Sequence, residues 1–132
     1  MRSVLFIACF MSAASSGQTF AQGRTAVRPL DGFSCMSLNL TPAQVRDYSL
    51  VVPIYAEPTA SSRKIGEASA IIIVRSPYEV RGGFQKVLFF NGEMGWLETK
   101  WLSPFPTKES PKARCTPMLM SDGKPGFDVK AN

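Results

Sequence analysis

The chain has 132 residues, which is enough for one domain. It carries 15 basic and 10 acidic side chains, a net charge of +5, and no histidine. Histidine is the commonest general base and a common metal ligand, so its absence argues against catalysis and against a metal site. The basic residues are scattered, with no run longer than Arg63-Lys64, which argues against nucleic-acid binding. We therefore expect no catalytic residue, no bound metal and no cofactor.

The first 21 residues have the features of a secretory signal peptide. A positive charge at Arg2 precedes an apolar run, and the small Thr19 and Ala21 flank Phe20 as at a signal peptidase site. The apolar run is too short to span a bilayer. We expect cleavage after Ala21, no membrane insertion afterwards, and a periplasmic or secreted product. Lipidation of Cys9 is the less favoured alternative.

Two cysteines remain after this cleavage, Cys35 and Cys115, on either side of the most strongly patterned region. In an oxidising compartment, an even pair of cysteines indicates a disulfide bond. Two free thiols are the alternative.

Residues 22–48 are polar and rich in turn formers, and contain one helix signal. Thr41 is suited to the N-cap, Pro42 to the first helical position, and Gln44 to the reciprocal position of a capping box. The pattern predicts a short helix from Pro42 to about Arg46.

The pattern changes to short strands after this helix. The apolar residues of 50–55 alternate between two faces, which predicts a strand, and Pro53 predicts that this strand lies at a sheet edge or carries a bulge. Residues 65–75 predict a second strand or strand pair. A loop over residues 76–83 follows. It ends in two glycines, which tolerate positive φ.

The next segment, "FQKVLFFNGEMGWL", predicts a hairpin. Asn91-Gly92 separates two apolar runs and favours a type I′ turn, which needs positive φ at both positions. A 3₁₀ turn and a short strand near residues 103–105 are expected next. Residues 106–132 are expected to be irregular, with a possible hairpin at Asp122-Gly123. The fold class is therefore all-β, a small barrel or sandwich.

This pattern resembles the bacterial SH3 (SH3b) domains. The likeness runs from Ser49 to Pro104 and is carried by "VPIYAEPTASSRKIGEA" and "GGFQKVLFFNGEMGWLETKWL". The resemblance implies an SH3-like barrel of about five strands over residues 49–105. Residues 22–48 and 106–132 would then be extensions tied together by the disulfide bond.

The resemblance also implies a binding module with an aromatic groove. Trp101 matches the position of a groove tyrosine, and Tyr55 matches the aromatic residue of the first strand. Phe84 matches the tryptophan that opens strand three, which is predicted here over residues 84–90. Trp96 lies five positions before Trp101 and joins the predicted groove. Glu98 stands in place of the groove proline, and this difference disfavours polyproline ligands. Glu98 is instead expected to contact a charged ligand. The alternative is that these rings belong to the core and Glu98 is a solvated turn residue.

Strand three is apolar on both faces. Val87 and Phe89 share one face, whereas the other face carries Phe84, Lys86, Leu88 and Phe90. The second face is expected to be covered by the disulfide-tied extensions, with a protein partner as the alternative.

These features predict a non-catalytic, exported binding module that engages cell-wall peptide or an envelope protein through its aromatic groove. The alternative function is a protein-interaction or inhibitor protein that uses the apolar face of strand three. The protein would be a monomer or a homodimer.

Overall fold

The computed structural model describes residues 23–131, and the predicted signal peptide lies outside this range. Within it the chain forms two antiparallel β-sheets, which confirms the all-β class. No helix among residues 23–131 has the length and apolar character needed to cross a bilayer. The elements are β1 Ala26–Pro29, β2 Phe33–Leu38, α1 Pro42–Val45, β3 Pro53–Tyr55, β4 Lys64–Glu67, β5 Ile71–Arg75, β6 Val80–Arg81, β7 Phe84–Leu88, β8 Met94–Glu98, a 3₁₀ turn Thr99–Trp101, β9 Leu102–Pro104, β10 Arg114–Met120 and β11 Pro125–Lys130.

The large sheet has the strand order β4-β3-β8-β7-β5-β2-β9, and β6 pairs with β7. The sheet is open, because β4 and β9 are its two end strands. β2 lies between β5 and β9, so the large sheet includes a strand from the segment interpreted as an N-terminal extension. One face of this sheet encloses the main core, formed by Met36, Val52, Ile54, Ile72, Val74, Val87 and Leu97.

Several local predictions are confirmed. α1 spans Pro42–Val45, and both hydrogen bonds of its capping box are present. The Gln44 backbone N–H donates to Thr41 Oγ1 at 3.2 Å, and the Thr41 N–H donates to Gln44 Oε1 at 2.8 Å. Residues 65–75 contain two strands, β4 and β5, which are not hydrogen-bonded to each other. β3 carries a register irregularity between Ile54 and Tyr55, consistent with the predicted bulge. The 3₁₀ turn and β9 follow β8 as predicted.

The hairpin of β7 and β8 is also present, but its turn differs from the predicted type I′. Gly92 has φ of +92°, whereas no residue other than glycine has positive φ among residues 23–131. The Gly92 N–H donates to the Phe89 carbonyl at 2.9 Å, and the Phe89 N–H donates to the Glu93 carbonyl at 2.8 Å. The connection is therefore longer than two residues and needs positive φ only at the glycine.

The terminal segments form a second sheet with the order β1-β10-β11. The expectation of an irregular segment is wrong over residues 114–120 and 125–130, which are paired strands. The hairpin predicted at Asp122-Gly123 is confirmed. Gly123 has φ of +78°, and the Lys124 N–H donates to Asp122 Oδ1 at 3.0 Å.

The small sheet packs on the large sheet, on the side opposite the main core. Cys35 of β2 is bonded to Cys115 of β10, as predicted. Ile73 lies opposite Cys35 in the β2–β5 ladder and is 1 % exposed. Phe90 contacts Phe127 of β11, with ring centroids 5.9 Å apart. The C-terminal extension thus covers Phe90, the last residue of the third strand predicted over residues 84–90, which in the structure lies in the turn after β7.

Candidate functional site

The β7–β8 ladder sorts the predicted site residues onto one face. Val87 lies opposite Gly95, on the face that encloses the main core. The neighbouring pairs, Phe84 with Glu98 and Lys86 with Trp96, therefore point to the other face. We call this side the outer face of β7–β8.

Three of the predicted rings form one cluster on this outer face. Tyr55 pairs with Trp96 across β3 and β8. The Tyr55 and Phe84 rings meet edge to face, with centroids 5.8 Å apart and planes at 81°. Tyr55, Phe84 and Trp96 are between 5 and 9 % exposed. Because these rings are largely buried, any ligand that reaches them must first move the groups above them.

Cationic side chains lie over the Trp96 ring. The Arg81 guanidinium carbon is 5.5 Å from the ring centroid, and Lys86 Nζ is 5.4 Å from it. Glu79 is 3.2 Å from Arg81 Nη2 and 3.7 Å from Lys86 Nζ. The pairing of β6 with β7 positions Arg81 here, directly opposite Phe84. We call Glu79, Arg81 and Lys86 the charged cover.

The charged cover was missed by the sequence interpretation. Arg81 and Glu79 lie in a segment expected to be a loop, where side-chain direction has no regular period. Lys86 carried a usable signal, since strand alternation places it beside Phe84 on one face.

Trp101 belongs to a different cluster from the other three rings. It is half-buried and packs against the main core. Lys100 Nζ lies 5.1 Å from its ring centroid and 3.3 Å from Glu98 Oε2. The structure therefore links Glu98 to Trp101 through Lys100, while Tyr55, Phe84 and Trp96 stay together. A ligand-binding role for these five residues stays a prediction.

The arrangement of side chains at this face is suited to ligand recognition. Two cations over an indole attract anionic groups, and the rings below supply apolar contact area. Among the described residues, no group of three or more cysteine and acidic side chains is arranged to hold a metal ion. No protein-family model, curated protein or solved structure matches the chain. The resemblance to SH3b domains is thus carried by the sequence motifs alone.

Proposed function

We propose that the protein is an exported, non-catalytic binding module of the SH3b type that engages cell-wall peptide through the outer face of β7–β8. Its disulfide bond favours an oxidising compartment, which agrees with a periplasmic or secreted location. The SH3b-like motifs provide both strands of the binding face.

The observation that carries this proposal is the position of Arg81 and Lys86 over Trp96. The Arg81 side chain is 66 % exposed, so it can turn away from the ring without disturbing packed neighbours. Its only ion-pair partner among the described residues is Glu79. Exposed ion pairs contribute only about 0–1 kcal/mol. A ligand carboxylate can therefore replace Glu79 at little cost.

Cell-wall peptides suit this face because they combine free carboxylates with small apolar side chains. The Arg81 guanidinium can bind a carboxylate through two parallel hydrogen bonds, and Lys86 adds a second positive charge. The Trp96 ring, once Arg81 turns away from it, then supplies apolar contact. Glu98, at the end of the same face, disfavours a second carboxylate there and so gives the ligand a direction.

Co-sedimentation with purified cell-wall sacculi tests the proposal. The informative variant is the double substitution Arg81→Ala/Lys86→Ala, which removes both cations from Trp96. Its matched control is Arg114→Ala/Lys130→Ala, which removes the same two residue types from exposed, directly opposite positions in the small sheet. We expect roughly tenfold weaker binding for the first variant and near wild-type binding for the control. Equal losses would indicate unspecific attraction by net charge and would contradict the proposed site.

Trp101→Ala is a poor probe of the same proposal. Because Trp101 packs against the main core, its removal lowers stability as well as any binding. The interaction or inhibitor function at the apolar face of strand three has less support from the geometry. Phe127 already covers that face at Phe90.

A further inference from the structure

A second surface lies beside α1, in the segment that joins β2 to β3. A hollow of about 270 Å³ opens there between the helix and the sheet. We call it the α1 groove. Its apolar lining includes Leu38, Leu40, Val45, Leu50, Val51 and Val52.

The rim of the α1 groove carries unusually exposed apolar side chains. Tyr48 is 98 % exposed, and Val45 and Val51 are also exposed. All three lie within seven consecutive residues and line the same hollow. Exposed apolar side chains gathered around one hollow are typical of interaction sites, and exposed tyrosines are frequent energetic centres of interfaces.

The groove is held in shape by local hydrogen bonds. The capping box fixes the start of α1, and Asp47 Oδ1 accepts from the Ser49 N–H at 3.0 Å and the Ser49 hydroxyl at 2.6 Å. The Leu50 N–H donates to the Asp47 carbonyl at 3.1 Å, and the Asn39 N–H donates to the Trp101 carbonyl at 2.7 Å. A preformed groove loses little conformational entropy when a ligand binds.

The charges in the groove are all negative. Asp47 and Glu67 line it, and no basic side chain among the described residues does so. The hydrogen bonds from Ser49 lower the pKa of Asp47, so this carboxylate is ionised at neutral pH. The whole chain has a net charge of +5, so the groove is an acidic spot on a basic protein.

These charges and the size of the hollow define the occupant. A symmetric contact with a second copy would bring the Asp47 and Glu67 carboxylates of both copies into one interface, which is unfavourable. Sites for whole small molecules usually measure roughly 300 to 1,000 Å³, which is larger than this hollow. A few apolar side chains of a peptide fit better.

We propose that the α1 groove binds a peptide segment of another exported protein, in which apolar side chains are flanked by lysine or arginine. The apolar side chains enter the hollow, and the basic ones pair with Asp47 and Glu67. Tyr48 covers the bound segment and offers its ring face to a ligand cation. This site shares no residue with the charged cover over Trp96, so either proposal can fail alone.

Selection of a displayed random-peptide library on the purified protein is the first test. We expect enrichment of a consensus that combines two or more apolar residues with lysine or arginine. Enrichment of an acidic consensus would overturn the proposal. Absence of any consensus would overturn it as well.

Binding of a synthetic consensus peptide, measured by fluorescence anisotropy, is the second test. We expect Tyr48→Ala to weaken binding about tenfold or more. The matched control is Tyr78→Ala, which removes another exposed tyrosine, 57 % exposed, from the loop before β6. Because Tyr48 is almost fully exposed, its removal leaves the packing of the fold intact.

The double variant Asp47→Asn/Glu67→Gln tests the ionic part with nearly unchanged shape. Asparagine keeps an oxygen that can accept from Ser49. We expect weaker binding and a smaller dependence on salt concentration than in the wild type. Unchanged affinity in both this variant and Tyr48→Ala would overturn the proposal.

Discussion

Cys35 of β2 and Cys115 of β10 join the two sheets through one disulfide bond, with Cα atoms 6.0 Å apart and 80 residues of separation. β2 lies inside the large sheet, between β5 and β9, and β10 is the central strand of the small sheet. The bond therefore holds the hairpin of β10 and β11 against the large sheet, on the face of β2 that points away from the main core.

Removal of this bond should cost much of the stability of so small a domain. Closing a loop of this length stabilises the folded state by about 4–5 kcal/mol through the lost chain entropy of the unfolded state. We expect Cys35→Ala/Cys115→Ala to lower the free energy of unfolding in urea by about this amount. The reduced wild-type protein is the control, because it lacks the bond but keeps both side chains. A loss below about 1 kcal/mol in both proteins would contradict this account.

Gly95 lets β3 approach β8 closely at the point where Tyr55 pairs with Trp96. A Cβ atom at Gly95 would lie 2.6 Å from Ile54 Cγ2, 2.7 Å from Ile65 Cδ1 and 3.0 Å from the Tyr55 carbonyl oxygen. Since the backbone oxygen cannot move independently, the strands must separate. We expect Gly95→Ala to reduce the free energy of unfolding by about 1–3 kcal/mol and to shift the tryptophan fluorescence, because Trp96 is the next residue along β8.

Gly23→Ala is the matched control for this substitution. Nothing lies within 4 Å of a Cβ atom at Gly23, and its φ is not in the left-handed region. Its urea midpoint should stay close to the wild-type value. A Gly95→Ala protein as stable as Gly23→Ala would show that the contact between β3 and β8 is not tight.

Local signals predicted the elements of residues 42–104 apart from β6, but they did not predict the order of the strands in the sheets. The capping box at Thr41 and the turn at Gly92 depend on neighbouring residues, and both are present. β1 was missed because it is short and exposed, and β2 because its six residues, "FSCMSL", do not alternate strictly between apolar and polar. They are strands because of β10 and β5, which lie far away in the sequence.

The candidate site was predicted only in part, because local signals indicate which face a residue lies on but not which distant strands pair there. Strand register brings Tyr55, Phe84 and Trp96 to one face, and period-two alternation contains that information. Trp101 is directed to the main core because the 3₁₀ turn after β8 interrupts the alternation. Arg81 reaches Trp96 only through the pairing of β6 with β7, which no local pattern indicates.

The contact between Phe90 and Phe127 should contribute directly to the packing of the two sheets. The rings are tilted by 52° with centroids 5.9 Å apart, a favourable geometry for aromatic pairs. We expect a double-mutant cycle of Phe90→Leu and Phe127→Leu, measured by urea unfolding, to give a coupling energy of about 0.5–1.5 kcal/mol. A cycle of Phe127→Leu with Tyr48→Leu is the control, because the exposed Tyr48 ring packs against nothing in the small sheet and should show no coupling. Coupling no larger than in this control would mean that the disulfide bond, and not the aromatic contact, holds the hairpin of β10 and β11 against the large sheet.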